Sequence, residues 1–242
     1  MQICPKNENV STLPKAPIAA AITVTLLFGV SVVALALSPR HSSAYAAAAQ
    51  GGNVSTANIR QSESEAGNVV ADAVRLAADA DMGIIPAAAF KPGASVSKPA
   101  TGEQMAGLLE PATDQIVTLN LRGSQVLAAL ERSVSFAPQP SAGFLQVSGV
   151  RFSYDSGRDI GKRVVSATLD GKAIDAVKTY KVATTRPLAN GQQGYFQIWD
   201  KDQIAQSGGE PKTLASALAE LARSRGGMLS PMIDGRIASV DK

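Results

Sequence analysis

An α+β fold is predicted for this 242-residue chain by three features of its sequence. Segments with helical apolar spacing and segments with alternating apolar residues succeed one another without a regular strand–helix–strand repeat. Asp170-Gly171, between the runs RVVSATL and AIDAV, is a strong two-residue hairpin signal, which requires antiparallel strands. An uncharged stretch, APIAAAITVTLLFGVSVVALAL at 16–37, stands ahead of them all and reads as one N-terminal hydrophobic helix.

That stretch of 22 residues is long enough to cross roughly 30 Å of hydrocarbon. It also exceeds the roughly 7–15 apolar residues of a signal-peptide core. Lys6 and Lys15 precede it, and the orientation that keeps them inside exports everything beyond. Ala44-Tyr45-Ala46 forms an A-x-A cleavage pattern, although Arg40 and His41 separate it from the apolar run. Two readings stay open: a transmembrane anchor with residues 1–15 in the cytoplasm, or a signal peptide cut after Ala46. Each places the remainder outside the cytoplasm, tethered to the membrane or free in the periplasmic or extracellular space.

Three of the 23 basic residues and one of the 20 acidic ones precede Ala47, which leaves 20 against 19 in the exported part. The pI near 9.0 therefore does not mark a nucleic-acid surface. The single cysteine, Cys4, lies before the apolar run, so the exported part must be stable without disulfides.

Residues 38–58 read as a linker of small and polar residues, with the folded domain (59–242) beginning near Ile59. Residues 62–80 carry Val69, Val70, Ala73, Val74 and Ala77 on one helical face, with Ser62 and Glu65 at capping-box spacing. MGIIP (82–86) is a short buried-strand pattern. Thr101 and Gln104 form a second capping box ahead of a short helix ending near Leu109. QIVTLNL (115–121) alternates as a half-buried strand does. Residues 124–135 return to helical spacing through Val126, Leu127, Leu130 and Val134. FLQVSGVRFSYD (144–155) reads as a strand with a bulge at Gly149. TYKVATT (179–185) is another strand, and a last helix spans about 213–225, capped by Gly226. No internal repeat is present.

The loop RPLANGQQGYFQIW (186–199) has the glycine spacing of a ligand-binding turn. RQSESEAGNVVADA, LEPATDQIVTLNLRGSQVLAALERSV, GFLQVSGVRFSYD, RPLANGQQGY and IDGRI, in this order and spacing from about Arg60 to Ile237, resemble the C-terminal domain of the 5'-nucleotidase family. The resemblance implies a layered α/β/β/α structure. It also implies a nucleoside pocket, because family members keep their metal cage and catalytic His–Asp pair in a separate N-terminal domain. A two-metal hydrolytic centre needs several oxygen and imidazole ligands. This sequence has one histidine, His41, so it supplies no catalytic residues, no metal ligands and no cofactor site of that kind.

The pocket implied by the resemblance is depleted. Ala112 and Pro187 stand where the family has its two stacking phenylalanines, and Gln193 where it has a nucleoside-binding aspartate. The segment Pro86-Ala87-Ala88-Ala89-Phe90-Lys91 replaces a glycine-rich, phosphate-binding turn. Arg60 and Lys91 keep positive charge at the two phosphate positions, although lysine lacks the bidentate fork. A residual anion or nucleotide site would therefore consist of Arg60, Lys91, Asn190, Gly191, Gln193 and Gly194. Glu63, Glu65 and Asp72 read as helix-end and polar-face residues rather than acid–base groups. Ser148 has no histidine to activate it. Tyr195, Phe196 and Trp199 are expected in the core, or as an apolar patch facing a partner. The expectation is an exported, non-catalytic interaction or weak ligand-binding module with an unidentified protein partner, such as a membrane complex. The alternative is the substrate-binding component of a split nucleotide hydrolase, paired with a separate metallophosphoesterase.

Overall fold

The computed structural model describes residues 52–205 and 210–241. The hydrophobic segment 16–37, residues 1–15, the cleavage pattern and the linker up to Gly51 lie outside them. Among the described residues no helix is long and apolar enough to cross a membrane.

The described residues form two four-stranded sheets and a small ribbon. The strands are β1 (Asn53–Ser55), β2 (Met82–Pro86), β3 (Ser95–Ser97), β4 (Ile116–Arg122), β5 (Leu145–Ser148), β6 (Val150–Tyr154), β7 (Val164–Leu169), β8 (Lys172–Ala173), β9 (Thr179–Thr185) and β10 (Ile237–Ser239). The first sheet runs β4-β9-β2-β5, the second β10-β6-β7-β8, and β1 pairs with β3. Within the first sheet β2 and β9 are parallel, while β4 with β9 and β2 with β5 are antiparallel. The helices are α1 (Glu65–Ala77), α2 (Gly102–Ala106), α3 (Gly123–Ser133), α4 (Arg186–Ala189) and α5 (Leu214–Ser224). Helix α1 packs on β2 and β5 and against α5, whereas α3 packs on β4 and β7, giving a layered α+β arrangement.

Local sequence accounts for most of these elements. The α1 face Val69, Val70, Ala73 and Val74 is buried, and Leu119, Leu121, Leu130 and Leu145 are almost wholly shielded from water. Each such side chain contributes roughly 1.5–3 kcal/mol of hydrophobic stabilisation. Thr101 and Gln104 close the expected capping box on α2. Helix α5 buries Leu214, Leu218 and Leu221, and Gly226 follows its end with φ +79°. Asp170 and Gly171 make the two-residue turn between β7 and β8, although β8 is only Lys172–Ala173 and takes a single residue, Ala173, from AIDAV.

Four local expectations change. The folded unit begins before Ile59: Asn53–Ser55 form β1, and Val54 is fully buried, because Thr56 and the β3 edge supply partners the linker composition did not reveal. The N-cap of α1 is Ser64, whose hydroxyl accepts from the Gly67 amide, while Ser62 turns back to the Asn58 carbonyl. Gly149 is not a bulge within one strand. With φ +80° it is the corner where the chain leaves the first sheet at β5 and enters the second at β6. Any side chain there would collide with the Asp81 carbonyl. Strand β10 has no counterpart among the sequence expectations, since its three residues are held by parallel pairing to β6 rather than by an apolar run of their own.

Candidate functional site

The 186–199 segment is more structured than a loop. Thr185 caps the single turn α4, whose Pro187 stands in the first turn, where a missing N–H does no harm. A 3₁₀ stretch follows at Gln192–Gln197. Tyr195 is fully buried; its hydroxyl donates to the Gly143 carbonyl at 2.8 Å and its ring stacks on Trp199, with centroids 5.1 Å apart. Trp199 Nε1 donates to the Ala189 carbonyl at 3.2 Å. These two rings therefore belong to the core, and of the three aromatics in the segment only Phe196 is exposed.

The glycines of this segment make room for the protein's own groups. A Cβ on Gly191 would lie 2.5 Å from that of Phe196. A Cβ on Gly194 (φ +84°) would lie 2.7 Å from Arg132 Nη2. Arg132, from the last turn of α3, donates through Nη2 to the Gln193 carbonyl at 2.6 Å and through Nη1 to Ser135 Oγ at 2.8 Å. Its guanidinium also lies 5.3 Å from the Phe136 ring centroid. Gln193, at φ 59°, takes a left-handed conformation that is uncommon outside glycine. Arg132 is the residue that sequence reading missed: one arginine at a helix end carries no sign that it reaches a loop sixty-one residues away.

Pro187 lines a cleft of about 330 Å³ with Thr113, Asp114, Gln115, Arg186, Asn190 and Gln192. Arg186 Nε donates to Gln115 Oε1 at 2.7 Å, fixing one wall. Burial pushes the Asp114 carboxyl above its ordinary value. Ala112, expected with Pro187 at a ring position, directly precedes Thr113 and is partly buried against the core. Among the described residues no aromatic side chain lines this cleft.

The remaining predicted residues lie elsewhere. Arg60 is half-buried, and its carbonyl accepts from the Ser141 amide at 2.8 Å. Gln193 borders the same 141–143 segment, since a Cβ on Gly143 would lie 3.3 Å from its own. Lys91 is exposed and its Nζ donates to the Gly107 carbonyl at 3.0 Å. Asn190 ends α4 through its main chain. Among the described residues, no hydrogen bond or ion pair joins Arg60 or Lys91 to the 190–194 turn. In the alanine turn the amides of Ala87, Ala88, Phe90 and Lys91 all donate to main-chain carbonyls, so they do not form an open phosphate cradle. Among the described residues no three His, Cys, Asp or Glu side chains cluster as a metal site, so these residues offer no ligand set that fits a dinuclear metal centre.

The sequence profile of the 5'-nucleotidase C-terminal domain matches residues 43–200, and the chain belongs to that family. Human 5'-nucleotidase is 31% identical over 147 residues, which cover 57% of this chain and 24% of the relative. The Bacillus subtilis trifunctional nucleotide phosphoesterase protein YfkN is 25% identical over 192 residues, 76% of this chain but 13% of its own length. Among solved structures, a 5'-nucleotidase precursor from Thermus thermophilus superposes with TM-score 0.65 at 24% identity, over 78% of this chain and 38% of that one. Haemophilus influenzae NAD nucleotidase gives 0.61 at 17% identity, over 84% and 40%. These likenesses establish the α+β fold, and the chain spans well under half the length of each of these relatives.

Proposed function

We propose that this domain is an exported, membrane-tethered module that does not hydrolyse nucleotides by itself and acts through protein contacts or weak ligand binding. The observation that carries the proposal is the 186–199 segment, whose close backbone approaches are taken up by Arg132 and Phe196 and whose cleft presents Pro187 where a base would need a ring. Stacking on an aromatic side chain contributes roughly 1–3 kcal/mol per base, so its absence weakens nucleoside binding by orders of magnitude. Segment 16–37 supplies the tether and the direction of export, through its length and the lysines before it.

The test incubates the purified full-length protein with divalent metals and follows phosphate release from AMP and ring opening of cyclic nucleotides to their monoesters. No release above the blank is expected, and metal-dependent turnover would sink the proposal. A second reading is favoured by the cleft of about 330 Å³ that Pro187 and Asn190 line. On that reading the chain is the substrate-binding partner of a separate metallophosphoesterase, with Arg60 and Lys91 steering the phosphate. Co-purification of such an enzyme, and its loss of activity with Arg60→Ala, would select it.

A further inference from the structure

A second crevice, of about 260 Å³, opens between α1, the Gly149 corner and the segment leading into β10. It is lined by Asp72, Arg75, Ser148, Arg151, Asp234 and Arg236, with Gly149 and Val150 at the corner, and shares no residue with the 186–192 cleft. Three guanidinium groups face two carboxylates, a net charge of +1, and Arg225 Nη2 lies 3.9 Å from Asp72 at the edge.

Both carboxylates are already engaged. Arg236 grips Asp72 in a fork, Nη1 to Oδ1 at 2.6 Å and Nη2 to Oδ2 at 3.1 Å. The same Arg236 donates to Asp234 through Nε at 2.9 Å and Nη2 at 3.1 Å. Ser148 Oγ donates to Asp72 Oδ1 at 2.6 Å. Nearby Glu63 is turned away, accepting from the Asp234 and Ile237 amides and from Asn68.

Arg75 stands apart in this cluster. Its Nε donates to Ser148 Oγ at 2.8 Å, and among the described residues its two Nη groups meet no carboxylate. The side chain is nevertheless held in place. Gly83 and Gly149 lie against its stem so closely that a Cβ on either would come within 2.9 Å and 3.1 Å of Arg75 carbons. Arg151 completes the opposite rim, holding the Asp234 carbonyl through Nη1 while Nη2 stays 3.7 Å from the carboxylate.

We propose that this crevice binds a small tetrahedral dianion of the phosphate class, either free or as a monoester, between Arg75 and Arg151. Two forked donors facing one opening suit an oxyanion with several acceptor oxygens better than a single carboxylate. The Arg236–Asp72–Asp234 base carries a net charge of −1, which Arg75 and Arg151 outweigh to leave the crevice at +1.

The experiment is titration calorimetry of the full-length protein in detergent with inorganic phosphate, at constant ionic strength set by chloride. Saturable binding is expected, with at least tenfold weaker affinity in Arg75→Gln and an intermediate loss in Arg75→Lys. Arg151→Gln, altered at an exposed rim position, should weaken binding too and serves as the deciding variant if Arg75→Gln does not fold. Tighter binding of glycerol phosphate than of inorganic phosphate would identify an esterified ligand, and equal binding a free one; both support the site. Absence of saturable heat overturns the proposal. So does binding that survives both Arg75→Gln and Arg151→Gln, or binding lost in Arg60→Gln, which would assign the anion to the family's pocket instead.

Discussion

At the scale of single residues, Gly194 shows how a binding-loop pattern can be kept for a structural reason. Its positive φ and its contact with Arg132 are separate constraints. Gly194→Ala should therefore destabilise the domain by about 1–3 kcal/mol, combining backbone strain with displacement of Arg132. In an Arg132→Ala background the same change should cost only the backbone part, about 1 kcal/mol. Denaturant melts of the four proteins in this cycle test it, and equal costs in both backgrounds would remove Arg132 from the account. The loop's glycines were legible in the sequence; their use was not, because a glycine lying against a ligand and one lying against an arginine are the same letter.

Among elements, the junction of α1 with the first sheet depends on Gln146, which is wholly buried on β5. Its Oε1 accepts from the Ser64 amide at 3.0 Å, and its Nε2 donates to the Ile59 and Ser62 carbonyls at 3.0 and 2.8 Å. One side chain thus satisfies three main-chain groups that have no place in a helix or sheet ladder. Gln146→Leu keeps the volume and strands all three, so a loss of about 3 kcal/mol is expected by denaturant unfolding. A loss below about 1 kcal/mol would mean that water reaches these groups. Sequence reading recovers α1 and the strand character of the 144–155 run, yet places the helix cap two residues early and takes two strands for one by missing the corner. Ser62 and Ser64 are equally good caps in isolation, and Gln146 makes the choice from eighty-two residues away.

For the molecule as a whole, buried tyrosines tie stability to alkaline pH. Burial, opposed by Arg132 and a hydrogen bond from Ser133, holds the Tyr195 hydroxyl neutral far above its ordinary range. The unfolded chain releases this proton near pH 10, roughly the value of a free tyrosine, whereas the folded chain retains it. The folded-state value is raised, so the contribution is whole below about pH 10 and is lost as pH climbs beyond it. Tyr195→Phe should reduce stability at neutral pH by about 1 kcal/mol, through the lost bond to Gly143, and should flatten the decline above pH 10. Thermal melts across alkaline buffers measure both, and an equally steep decline in the variant would assign it elsewhere.

The sequence by itself determined the α+β class, most helices and strands, and the family. All of these rest on local periodicity, turn chemistry and residue identity, which the chain carries without being folded. Only the tertiary structure decided that 144–155 divides between two sheets, that Asp72 is locked by Arg236 rather than lying on a polar face, and that Arg75 is left facing an open crevice. Those outcomes depend on which distant groups meet. Asp72 and Arg236 are 164 residues apart, and no property of either residue alone encodes the contact.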